Sequence, residues 1–225
     1  MKLSMTQRET RLGWCFFLCY LFIIPTLIDF AAIALRLSLT GLNILFFVVN
    51  FACAAAIFHR FLWKSVKGAW AKPLKTLRFT VTGLGVHFVC ALLISVIITP
   101  WIHPDFSNVN DQTIVRMSQT HTVLFIFCTV VLVPITEELI FRGLVFGSIC
   151  KKYPKLALFV SVFVFASIHL LDYIGTTDWK TLLVCFIQYL PSGLVLAGSY
   201  AVSENIVVPI CMHIVVNAIA MATLR

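Results

Sequence analysis

A chain of 225 residues that is 60% hydrophobic and only 12% charged, with a mean hydropathy of +0.99, is not a water-soluble domain. No soluble fold of this length hides so much apolar side chain. A net charge of +8 might suggest a nucleic-acid partner, but the cations sit between apolar runs, where anionic lipid headgroups account for them and nucleic acid is excluded.

Apolar runs long enough to cross a hydrocarbon core of roughly 30 Å follow one another along the chain. Spans are expected near Leu12–Leu35, Thr40–Leu62, Phe79–Thr99, His121–Ile149, Lys155–Leu171, Thr181–Val202 and Ile206–Leu224. The first follows a basic start but is too long for a signal peptide and lacks a small-residue cleavage site, so it reads as a retained span. The fourth is long and contains Pro134, which makes it the place to expect a departure from regular helix. With no internal repeat, residues 1–225 read as one integral membrane domain: an all-α, polytopic transmembrane helix bundle of about seven to eight spans with an active site in the bundle core.

The loop cations test this order independently. Lys2, Arg8, Arg11, Arg60, Lys64, Lys67, Lys72, Lys75, Arg78, Lys151, Lys152 and Lys155 fall on one side of a seven-span arrangement, and only Arg36, Arg116, Lys180 and Arg225 on the other. The positive-inside rule then predicts a multi-pass cell-membrane protein with a cytoplasmic amino terminus. The eight cysteines lie almost entirely within spans and form no CxxC pair, so they read as small buried hydrophobes.

Against this background the segment VLVPITEELIFRGLVF, Val131 to Phe146, stands out. An ionised side chain at the centre of a membrane helix costs on the order of 2.5–3.5 kcal/mol, and here Glu137, Glu138 and Arg142 share a turn and a half. Glu138 and Arg142 are i and i+4, so they can pair on one face, while Glu137 points about 100° away. That division implies a structural pair and a free carboxylate. Two further spans carry Phe165 with His169 and His213 with Asn217, each pair at i, i+4. His59 and His87 have no such partner and read as packing residues. Together the polar groups admit two hydrolytic chemistries. One is a carboxylate base with an imidazole partner and donors for an oxyanion. The other is a His/His/Glu metal site with an open water position.

The ordered motifs EExxxR (Glu137–Arg142), FxxxH (Phe165–His169) and HxxxN (His213–Asn217) resemble those of the CPBP family, which contains the type II CAAX prenyl endopeptidases and the bacterial Abi or bacteriocin-processing proteins. The likeness covers Val131 to Ala220, with a motif region at 131–220, and the short loops look more like a bacterial member. It implies a CPBP-type intramembrane peptidase, a hydrolase acting on a peptide bond of a membrane-associated peptide or protein. Glu137 would activate water with His169, His213 and Asn217 would hold the oxyanion, and Glu138 and Arg142 would support the site. It leaves open a glutamate-dependent reaction without a cofactor and a metalloprotease with one divalent ion, zinc being the candidate, on Glu137, His169 and His213. The presence of Asn217 and Arg142 favours the former, since an amide is a poor zinc ligand and a guanidinium repels a cation. The competing class is a non-proteolytic membrane partner, an immunity protein or a regulator of a sensor kinase, with the polar cluster serving helix packing. A transporter with a proton relay lacks support, because the chain shows no two-halves symmetry.

Overall fold

The computed structural model describes residues 4–119 and 122–223, and the regular structure in them is helical throughout. The nine helices among the described residues are α1 (Gln7–Leu35), α2 (Leu39–Ile57), α3 (His59–Ala71), α4 (Pro73–Ile102), α5 (Val109–Ser118), α6 (Val123–Cys150), α7 (Pro154–Ile168), α8 (Trp179–Ser203) and α9 (Val207–Thr223). Five of the seven expected spans, α1, α2, α4, α6 and α8, are long and apolar enough to cross a bilayer. The other two are the shorter apolar helices α7, of 15 residues, and α9, of 17. The expected span ends at His121 and Leu224, and the terminal cations Lys2 and Arg225, lie outside the described residues.

Local sequence explains where the helices begin and end. Thr6 and Glu9 form a reciprocal capping box at the start of α1, satisfying donors that the helix itself cannot pair. Helix α1 ends at Arg36, which adopts the left-handed conformation at φ 53°, and the Leu37 N–H reaches back to the Ala32 carbonyl at 3.0 Å. Asn205 closes the turn between α8 and α9. Its Oδ1 accepts from the Val207 N–H and its Nδ2 donates to the Ser65 carbonyl of α3.

The expected span Thr40–Leu62 is divided in two. The chain turns at the fully buried Phe58 and continues as the amphipathic helix α3. Phe61, Ser65 and Ala69, spaced by four, are buried, while Arg60, Lys64 and Lys67 are exposed. A hydropathy window merges the apolar end of α2 with the first turn of α3, which hides the break. Glu9 of α1 secures the junction: its Oε1 accepts from the Phe61 N–H at 2.8 Å.

Half of the apolar window of α6 is buried, against 6% for α4. Thus α6 is the central helix and α4 lies towards lipid. Helix α6 departs from α geometry on both sides of Pro134, as π-helical turns at Cys128–Leu132 and Leu139–Phe146. Proline removes one backbone donor, and wider turns leave carbonyls to be satisfied from neighbouring helices, as membrane depth requires. Two such partners are present: the Ser161 hydroxyl donates to the Phe141 carbonyl at 3.0 Å, and Asn217 Nδ2 to the Thr129 carbonyl at 3.0 Å. Phe16, Phe58, Phe61, Ile140 and Phe141 pack the main core beside this segment.

Candidate active site

Glu137 and Glu138 lie in the short α-helical stretch between the two π-helical turns of α6, both buried. Glu138 is fully enclosed, and its Oε1 accepts from Arg142 Nη1 at 2.9 Å. The i, i+4 pairing expected from the sequence is therefore formed, and α9 adds to it. His213 Nδ1 donates to the same Glu138 Oε1 at 2.9 Å. Arg142 reaches further, its Nη2 donating to the Gly193 carbonyl of α8 at 3.3 Å and its guanidinium lying 4.2 Å from the centre of the Phe165 ring. One carboxylate and one guanidinium thus bind α6, α7, α8 and α9 together. A buried charge pair is tolerable only when hydrogen bonds of this kind accompany it.

Glu137 is left free by that arrangement. Its Oε2 is buried without a hydrogen-bond partner and lies 3.8 Å from His213 Nε2. His213 therefore stands between the two glutamates, with Nδ1 held by one and Nε2 facing the other.

His169 caps the C-terminal end of α7. Its Nδ1 is 2.8 Å from the Phe165 carbonyl; a carbonyl only accepts, so Nδ1 carries the proton and Nε2 is the acceptor of the neutral ring. Phe165 is the hub of the site. It packs against His169 at 4.7 Å, His213 at 5.9 Å and Phe141 at 5.6 Å between ring centroids. His169 makes no hydrogen bond or ion pair to Glu137 among the described residues; Glu137, His213 and Arg142 act on it through their electrostatic fields. Asn217 stands one turn beyond His213 and spends one of its two amide N–H groups on Thr129, leaving the second available.

The structure thus joins Glu137, Glu138, Arg142 and His213 directly, attaches His169 through Phe165, and places Asn217 at the edge of the group. Two neighbours escape the sequence reading, and a third, His87, reads there as a packing residue. Tyr189 of α8 stacks on His169 at 4.2 Å, Tyr20 of α1 lies within electrostatic reach of Glu137, and the buried His87 of α4 within that of His213. Only Tyr189 carried a visible signal, as half of the polar pair Gln188–Tyr189 inside an apolar run.

A metal site needs three or more converging ligands. Among the described residues no three His, Cys, Asp or Glu side chains are placed to hold an ion. The Arg142 guanidinium adds positive charge within the cluster.

A polytopic helix bundle with carboxylates, imidazoles and a guanidinium gathered in its core defines a membrane protein with a buried ionisable centre, where polar groups are expensive and functional. Residues 119–219 match the family model described as type II CAAX prenyl endopeptidase Rce1-like. This segment, which holds all the motif residues, is similar to the CAAX protease family that those motifs resemble. No curated protein and no solved structure matches the chain.

Proposed function

We propose that the protein is an intramembrane endopeptidase in which Glu137 makes water nucleophilic. The observation that carries this reading is the contrast between the two adjacent glutamates: each keeps its Oε2 buried without a hydrogen-bond partner, but Glu138 is committed through Oε1 to Arg142 and His213, whereas Glu137 makes no hydrogen bond among the described residues and has only His213 Nε2 nearby, at 3.8 Å. A carboxylate held in that state is the expected form of a general base.

In the proposed reaction Glu137 takes a proton from water, the oxygen of that water attacks the peptide carbonyl, and the proton passes to the departing amine. His169 supports the water through Nε2, the nitrogen left free by the Phe165 carbonyl. His213 keeps Nδ1 on Glu138 and presents Nε2 to the reacting groups, and with the second N–H of Asn217 it holds the oxyanion. The substrate is a peptide or protein held at the membrane, and the amino terminus faces the cytoplasm.

A second reading has its own observation. Asn217, Arg142 and Glu138 all bridge helices, as a packing cluster in a non-catalytic membrane partner does. Glu137→Gln separates the two, because it keeps the shape and removes the base. Protein termini in membranes and medium are compared between cells with wild type and cells with the variant at equal abundance. The hydrolase reading expects a set of termini reduced about 10²–10⁴-fold in the variant. Identical termini, with the biological effect intact, would leave the packing reading in possession.

A further inference from the structure

We propose that Tyr189 is a positioning residue for His169, and that the short helix α5 holds Tyr189 in place through Asn110. The inference rests on the hydrolytic reading of His169 and adds a second layer to that site. His169 follows the last residue of α7, and its side chain is fixed from three directions. The Phe165 carbonyl holds Nδ1, the Phe165 ring covers one part of the imidazole at a 60° tilt, and the Tyr189 ring lies nearly parallel to it, at 27° and 4.2 Å. The first contact sets the tautomer, and the stack sets the plane in which Nε2 points.

Tyr189 is itself restrained. Asn110 Nδ2 donates to the Tyr189 hydroxyl oxygen at 2.8 Å, and the Tyr173 hydroxyl donates to Asn110 Oδ1 at 3.4 Å. The neighbouring residue repeats the tie, with Asn108 Nδ2 donating to Gln188 Oε1 at 3.1 Å. Asn108 is also the cap of α5, accepting from the Asn110 and Asp111 N–H groups. Two consecutive residues of α8 are therefore anchored by the first turn of a helix that contributes nothing else to the reacting groups. An aromatic residue needed only to fill space requires no hydroxyl and no such network. A shift of about 1 Å in a reacting group can cost 10²-fold in rate, which is sufficient reason to anchor an imidazole at a helix end.

The test uses the full-length protein in lipid nanodiscs with histidine ring labels, the His169 signal being identified by its loss in His169→Gln. In wild type the stacked phenol shifts the imidazole proton signals upfield. Tyr189→Leu is expected to abolish that shift, leave the signals of His87 and His213 in place, and lower Glu137-dependent cleavage in cells about 100-fold. Tyr189→Phe keeps the ring, retains most of the shift and loses far less activity. Asn110→Ala falls between them. A Tyr189→Leu protein that loses the shift but cleaves like wild type overturns the proposal alone. A wild type without Glu137-dependent termini overturns the hydrolytic reading and the proposal with it, and that failure is recognisable because it precedes any change at Tyr189.

Discussion

Arg142 has no accessible surface, and its neighbours give it one strong anionic partner, one carbonyl and one aromatic face. Arg142→Ala leaves Glu138 buried without its cation, a change that costs about 3–5 kcal/mol in buried pairs. The expected result is a large fall in thermal unfolding temperature in detergent. Arg142→Lys should recover only part of it, since an ammonium cannot span Glu138 and Gly193 with a planar fork. Glu137→Gln should behave oppositely. It relieves an unpartnered buried carboxylate, so stability holds or rises while cleavage is lost, the usual trade at a strained functional site. Unfolding curves of the three variants on one preparation check this order; a Glu137→Gln protein as unstable as Arg142→Ala would contradict it. The sequence made the Glu138–Arg142 pair legible because i, i+4 spacing is local. The attachment of His213 to Glu138 was not legible, because it links residues 75 positions apart and only tertiary packing decides which glutamate it meets.

At the level of elements, the site depends on how closely α7 approaches α8. A Cβ placed on Gly193 would lie 3.0 Å from Val162 Cγ1, 3.3 Å from its Cα and 3.4 Å from its carbonyl oxygen, so backbone itself stands in the way. Small residues serve this purpose between membrane helices. Gly193→Val must push α7 outward, and α7 carries both Phe165 and His169. A loss of about 1–3 kcal/mol is expected from overpacking, together with a fall in Glu137-dependent cleavage larger than the stability loss explains. Gly198→Val is the matched control, because open space faces that position; thermal unfolding and cleavage of both variants provide the comparison. Equal effects at the two glycines would remove close packing as the cause. The helical elements were largely readable from apolar run length, and Pro134 marked where α6 becomes irregular. Two elements were not. Helix α3 was concealed because its first turn continues the hydrophobicity of α2, and α5 because its residues are polar and its contacts with Gln188 and Tyr189 come from distant sequence.

For the whole molecule, charge and tryptophan placement define two membrane boundaries. Helix α3 lies between α2 and α4 with Arg60, Lys64 and Lys67 exposed, flanked by the exposed Trp63 and Trp70. This is the pattern of a helix lying in the headgroup layer. At the far end of α4 stands the exposed Trp101, and Trp179 begins α8. The 30 residues of α4 extend about 45 Å, close to the thickness of a bilayer with its interfacial regions. Aromatic residues at both ends are the expected interfacial anchors, and the cations concentrated at one end predict the direction of the bundle. The expected topology places the α3 end and the Lys151–Lys152 turn in the cytoplasm and the segment 103–108 outside. An epitope inserted after Asp105 should bind antibody on intact cells, whereas one inserted after Lys152 should bind only after permeabilisation. The reverse pattern would place the basic end outside and overturn the orientation. In the expected orientation His169 stands at the outer end of α7 and stacks on Tyr189, well inside α8, so the polar network around Asn110 runs from the candidate site towards the face opposite the basic loops.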